Sequence, residues 1–161
     1  YLYTIILKHI KMGTRSTYRL IEKGSYEGKT WKNTLALVYK QYDGYPEGHP
    51  IDTAKWLASG EMVNGIGMDS KGLIFNGAGC LAAQFIAENK DGAGGTYIYA
   101  PSHRGKCGEN YLYDIIVDGK EITMVAYENN TSWNDNARVK AHKIFEGTPQ
   151  EFVEKYEEVT A

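Results

Sequence analysis

Asp118-Gly119 stands between two apolar runs, residues 110–117 and 121–127, and no other short segment restricts this chain's folding so strongly. Glycine after aspartate offers the positive-φ backbone of a two-residue hairpin, so the runs are predicted to pair antiparallel. The other elements must then assemble around a sheet. Residues 16–22 alternate as a strand. Residues 34–42 set Leu35, Leu37 and Tyr39 against Ala36, Val38 and Lys40, apolar on both faces at first and on one face later. That is the pattern of a strand leaving a core. The polar, glycine-containing stretch 25–33 between them reads as a long hairpin connection. Residues 96–100, stopped by Pro101, make a further strand.

Helical spacing appears at 51–59, with Ile51, Ala54, Leu57 and Ala58 on one side, and at 79–89, with Leu81, Ala82, Phe85 and Ile86 inward. Thr148-Pro149-Gln150-Glu151 combines a capping box with proline in the first helical position. It opens a last helix that aligns Phe152, Val153, Tyr156 and Val159. Residues 61–72 read as irregular, 73–75 as a brief apolar run and 129–136 as a polar loop. The expectation is an α+β fold, a mainly antiparallel sheet of about five strands in the order β-β-α-α-β-β-β-α, with helices packed mainly on one face.

The 161 residues suit one domain, which at that length buries roughly 68–70% of its unfolded surface without disulfide or metal. Met12-Gly13 reads like a start, so residues 12–161 are the expected domain and 1–11 an upstream extension. Its apolar Tyr1-Leu2-Tyr3-Thr4-Ile5-Ile6-Leu7 suits an added strand or an intersubunit contact. A net charge of −2 gives no basic footprint for duplex nucleic acid. No apolar run approaches the roughly 20 residues of a membrane helix. A soluble, cytoplasmic protein without membrane contact is expected, with Cys80 and Cys107 as free thiols. Thirteen tyrosines against four phenylalanines suggest a sheet with one half-exposed face, or else a tyrosine-lined binding surface.

Polar candidates concentrate in Gln41-Tyr42-Asp43-Gly44-Tyr45-Pro46-Glu47-Gly48-His49, at a strand exit. Asp43, Glu47 and His49 are the residue types of general acid–base work, and a turn at a strand end brings them close in sequence. The same composition also describes an ordinary surface turn. No metal is expected, because His9, His103 and His142 are scattered and none lies at helical spacing from His49. Asn76-Gly77-Ala78-Gly79-Cys80-Leu81-Ala82 has the form G-x-G-x-x-A. It lacks a full preceding strand and an acid about 20 residues on, so no dinucleotide cofactor is expected. A ligand nest at the helix start, or close packing of small residues on the sheet, are the remaining readings. Cys80 in that first turn reads as a small packed thiol, and as a nucleophile only with a base such as His49 or His103 beside it. Arg15 is expected to make a structural pair with the turn. Ser102-His103-Arg104-Gly105-Lys106 is a basic loop able to complement a phosphate, with solvation as its default role.

Three of these segments occur in one order: Gly13-Thr14-Arg15-Ser16, the stretch from Tyr39 to His49, and Asn76 through Gln84. Together they resemble a set of uncharacterised proteins of bacteriophages and environmental viruses, over about residues 13–90 and more loosely to Phe145-Glu146-Gly147. Where that set has glycine after the histidine, this chain has Pro50. The resemblance implies a viral accessory protein in a bacterial cytoplasm and carries no activity with it. The favoured expectation is a binding protein for a small polar or phosphorylated ligand or a host protein. Arg15, Gln41, Tyr42, Asp43, Tyr45, Glu47 and His49 would converge with Asn76, Gly77, Gly79, Cys80 and Gln84 on one pocket. The alternatives are a small hydrolase or lyase using Asp43, Glu47 or His49, and a structural protein forming homo-oligomers.

Overall fold

The computed structural model describes residues 13–65, 72–129 and 141–157. Its strands are β1 (Ser16–Tyr26), β2 (Lys29–Lys40), β3 (Glu61–Val63), β4 (Ile74–Asn76), β5 (Thr96–Tyr99), β6 (Tyr111–Asp118), β7 (Glu121–Asn129) and β8 (Ala141–Gly147). Helix α1 (His49–Ser59) follows β2, α2 (Gly77–Asn89) follows β4, and α3 (Pro149–Tyr156) follows β8. A 3-10 turn at Pro101–His103 follows β5. The expected residues 1–11, the loop over 130–136 and Val159 lie outside the described residues.

Six strands form one sheet in the order β5-β2-β1-β6-β7-β8, and β3 and β4 form a small parallel pair. Within the large sheet only β1 and β6 run parallel; the other neighbours are antiparallel. The α+β class and the mainly antiparallel sheet agree with expectation, while the strand count and order differ. β3 and β8 fall where no strand was expected, and β4 where only a brief apolar run was read. β3 is only three residues long, too short to show a period. β8 is an edge strand whose apolar content is Ile144 and Phe145 among His142, Lys143 and Glu146. Charged residues of that kind suit an exposed sheet edge.

The connection between β1 and β2 is two residues, not the long loop expected over 25–33. Tyr26 pairs with Lys29, and Glu27 and Gly28 take φ of 48° and 76°. Two consecutive positive-φ residues match the twist of a hairpin. At the other hairpin Asp118 pairs with Glu121, so the turn is Gly119-Lys120, with Gly119 at φ 61°. A shift in register at Leu20/Ile21 leaves Leu35 without a partner on β1. This bulge turns Leu35 outward, 39% exposed, although Leu37 two residues on is fully buried.

All three helices contribute to one apolar cluster on one face of the sheet. Tyr18, Leu20, Val38, Tyr113, Ile115 and Met124 meet Ala54 and Leu57 of α1, Leu81 and Phe85 of α2, and Phe152 of α3. The α3 cap is as the sequence indicates, with Glu151 N donating to Thr148 Oγ1 at 3.1 Å. The opposite face carries Thr17, Arg19, Leu37, Tyr39, Leu112 and Asp114, and the segment over 101–110 lies across part of it. Glu109, 1% exposed, fastens that segment. Its carboxylate accepts from Thr17 Oγ1 at 3.0 Å, Gly105 N at 2.7 Å and Cys107 N at 2.6 Å. Arg19 and Arg104 share buried Asp114, at 2.7 and 3.6 Å. Among the described residues no helix is long and apolar enough to cross a membrane.

Candidate functional site

The strand-exit turn is shaped by backbone hydrogen bonds. Asp43 adopts φ 55°, and its carbonyl accepts from His49 N at 2.9 Å. Gly48 N donates to Tyr45 O at 2.8 Å, and Gly44 N to Thr14 O at 3.0 Å. Gly44 has no room for a side chain, since a Cβ there would stand 2.7 Å from Ser16 Cβ and Oγ. Its carbonyl accepts from the buried Tyr113 hydroxyl at 2.7 Å. The Gly13-Thr14-Arg15-Ser16 and Tyr39-to-His49 motifs therefore meet because one is packed against the other. Pro50 lies in the first turn of α1, where its missing N–H leaves no intrahelical bond unmade.

This turn delivers His49 to the first position of α1. Its ring stacks on Tyr18 at 5.0 Å and 9°, and its Nδ1 lies 2.9 Å from Tyr18 Oη. Tyr18 in turn stacks on Tyr113 at 5.0 Å, and burial raises both phenol pKa values, so both stay neutral. Tyr18 also hydrogen-bonds Thr53. Burial, and secondarily the Lys40 ammonium, lower the His49 pKa from 6.5 to about 3. Nε2 is sealed from solvent and meets no hydrogen-bond partner among the described residues. If Tyr18 donates to Nδ1, Nε2 is a donor; if Nδ1 donates to Tyr18, Nε2 is an acceptor. The ring is neutral either way.

His49 lines two adjoining clefts of about 260 and 220 Å³, which also share Lys40 and Asn89. The first adds Asp52, Thr53, Trp56 and Glu88; the second adds Tyr42, Asp43, Asp91 and Thr96 with Gly94 and Gly95. Lys40 Nζ donates to Asn89 Oδ1 at 3.1 Å, and Thr96 Oγ1 donates to Asn89 O at 3.0 Å. Burial lowers the Lys40 pKa, and the Asp43 charge partly offsets this. Gln41 N donates to Gly95 O at 2.9 Å, tying the turn to the same loop. Among the described residues no group of three or more His, Cys, Asp or Glu is placed to hold a metal ion.

Among the described residues, the two segments expected to share one pocket line different clefts. The start of α2 lies at the opposite end of that helix from Asn89, about 18 Å away by helical rise. Gly77 and Ala78 line a different cleft, of about 410 Å³, with Trp31, Val63, Asn64 and Asp118. Gly77 is required by its φ of 80°. A side chain at Gly79 would meet nothing within 4 Å, so Gly79 is not there for close packing. Asn76 Oδ1 accepts from Gly65 N at 3.0 Å. Cys80 Sγ donates to Gln84 Oε1 at 3.2 Å, and Gln84 Nε2 donates to Ile74 O at 2.9 Å. These polar groups hold β4 and α2 together, and His49 sits at the helix's far end. Glu47 is exposed, and its charge acts on Tyr111, Tyr113 and Tyr156, away from the two clefts. Arg15 hydrogen-bonds Tyr39 on the face opposite the helices.

Sequence reasoning thus reached Tyr42, Asp43 and His49, and missed Tyr18, Lys40, Thr53, Asn89 and Thr96. One signal was available: Lys40 ends a strand at a position where the alternation puts it inward with Ala36 and Val38. Compared with protein-family models, curated proteins and solved structures, the chain matches none.

Proposed function

We propose that this protein binds a small polar molecule in the paired clefts around Lys40, His49 and Asn89. The observation carrying this reading is the neutral, half-buried His49, which lines both clefts and whose Nε2 has no hydrogen-bond partner among the described residues. A buried polar atom without a partner costs free energy on the order of 1–3 kcal/mol, which a ligand would recover. Asp43, Asp52, Glu88 and Asp91 around the rim outnumber Lys40, so an amine-bearing molecule suits the clefts better than a phosphate. The carboxylates would balance an ammonium's charge, and a small turn of the His49 ring would open the sealed Nε2, as acceptor, to its N–H.

The hydrolase or lyase alternative is less well supported. A general base works best with a pKa near the operating pH. His49 at about 3 is far below that, and Glu47 lines neither cleft. A viral accessory role in a bacterial cytoplasm rests on the motif resemblance alone.

Histidine-labelled protein should be titrated with ethanolamine, glycine, glycerol and inorganic phosphate, following the ring nitrogens by NMR. An amine-bearing probe should move the His49 Nε2 resonance saturably, and Asp52→Asn should weaken that response about tenfold. If no probe shifts His49 at millimolar concentration, or if phosphate alone does, the reading is wrong.

A further inference from the structure

Away from the clefts, β5 presents a row of exposed aromatic rings. Tyr97 and Tyr99 are 43% and 38% exposed on the sheet face opposite the helices, where they pair with Tyr39 and Leu37 of β2. Their rings lie 6.4 Å apart and 22° from parallel. Tyr39 meets Tyr99 edge-on at 5.6 Å, and His103 continues the row at 5.9 Å and 29°. The row of near-parallel rings Tyr97, Tyr99 and His103 is buttressed from below by Tyr39. β5 is the edge strand of the sheet among the described residues.

The accessible charge around the platform is positive. Lys90 Nζ lies 5.6 Å from the Tyr97 ring, held by the carbonyls of Gly94 and Thr96. Arg15 reaches Tyr39, and Lys106 lies exposed in the segment after His103. The acids of this face are spent internally: Asp114 takes Arg19 and Arg104, and Glu109 takes Thr17 and two backbone N–H groups. Asp91 lines the cleft that contains Asp43 and His49.

We propose that this face binds single-stranded nucleic acid, with unpaired bases stacked on Tyr97 and Tyr99 and backbone phosphates met by Lys90, Arg15 and Lys106. Exposed aromatic rings on a sheet flanked by cations are how sequence-tolerant single-strand binders work. A duplex keeps its bases stacked on one another and has no ring to offer the tyrosines. A carbohydrate would use the rings without needing the cations. The site is separate from the His49 clefts and does not depend on their ligand.

The test is fluorescence anisotropy with labelled dT12 and rU12 at low salt. Saturable binding is expected, with a log–log salt slope of about −2 for three phosphate contacts to a single strand. Tyr97→Ala with Tyr99→Ala should weaken it at least tenfold, Tyr97→Phe with Tyr99→Phe about twofold or less, and His49→Gln not at all. Circular dichroism checks the alanine pair. Should that pair unfold, Tyr99→Trp decides: the introduced indole must be quenched by dT12, beyond any quenching seen in the parent. The proposal fails if neither oligomer binds, if the folded alanine pair binds as well as the parent, or if Tyr99→Trp shows no added quenching. It fails equally if a duplex competes on equal terms, if a neutral oligosaccharide occupies the tyrosines instead, or if light scattering shows a dimer that the alanine pair dissociates.

Discussion

His49 is the residue where position, environment and chemistry are most tightly linked. Its imidazole takes up a proton near pH 6.5 in the unfolded chain and near 3 in the folded one. Between those values the unfolded state binds more protons, so stability rises with pH across that window and falls on acidification. At pH 5 relative to pH 7 this group alone should cost about 2 kcal/mol. Urea unfolding of the parent and of His49→Gln at both pH values should show that difference in their pH dependence. Equal pH dependence would mean that the ring is solvated. His49 and Asp43 could be suspected from sequence because a turn with Asp, Glu, Gly and His is conspicuous. Their surroundings could not. Tyr18 is 31 positions from His49, and Asn89 is 49 from Lys40, so only the finished fold brings these pairs together.

At the scale of elements, periodicity was informative where one face of a strand is largely buried, as in β6, and misleading where both are wet. The distal part of the β1–β2 hairpin reaches past the core, and Ser25, Lys29, Thr30 and Lys32 carry no inward pattern, which is why 25–33 read as a loop. What builds this arm is the turn, and its geometry is unusual in placing a glutamate at φ 48° before Gly28 at 76°. Asparagine tolerates positive φ better than glutamate, so Glu27→Asn should stabilise by roughly 0.5 kcal/mol. Gly28→Ala should destabilise by about 1 kcal/mol. Midpoints of urea unfolding at constant slope would measure both, and a neutral Gly28→Ala would mean that the arm adds nothing to stability. The α3 helix was legible for the opposite reason: Thr148, Pro149 and Glu151 are local signals that need no tertiary partner.

Over the whole molecule, the sheet separates two differently built faces. The helix face is held by apolar packing, the kind of order that hydrophobic pattern encodes, and so its helices could be anticipated. The other face adds buried charge to the apolar Leu37 and Leu112, and pattern does not encode that charge. Asp114 sits on β6 directly opposite Arg19 of the parallel strand β1. It accepts from Arg19 Nε at 2.9 Å and Nη2 at 2.7 Å, and reaches Arg104 of the overlying segment. Arg104 also rests on the Tyr127 ring at 5.2 Å. One carboxylate thus joins the central strand pair to the segment that positions His103 beside the tyrosine row. Removing its charge leaves two guanidinium groups without their partner, and breaking buried pairs of this kind costs about 3–5 kcal/mol. Asp114→Asn should therefore lose about 3 kcal/mol in urea unfolding, since Arg19 and Arg104 keep partial contact with solvent. Under native conditions it should also expose Arg104 and Lys106 to trypsin, while Glu109 still ties the far end of the segment at Gly105 and Cys107. Cleavage there ahead of global unfolding is the expected sign that the face opens locally. If the variant keeps parent stability and resists trypsin in this segment, Asp114 does not organise the face.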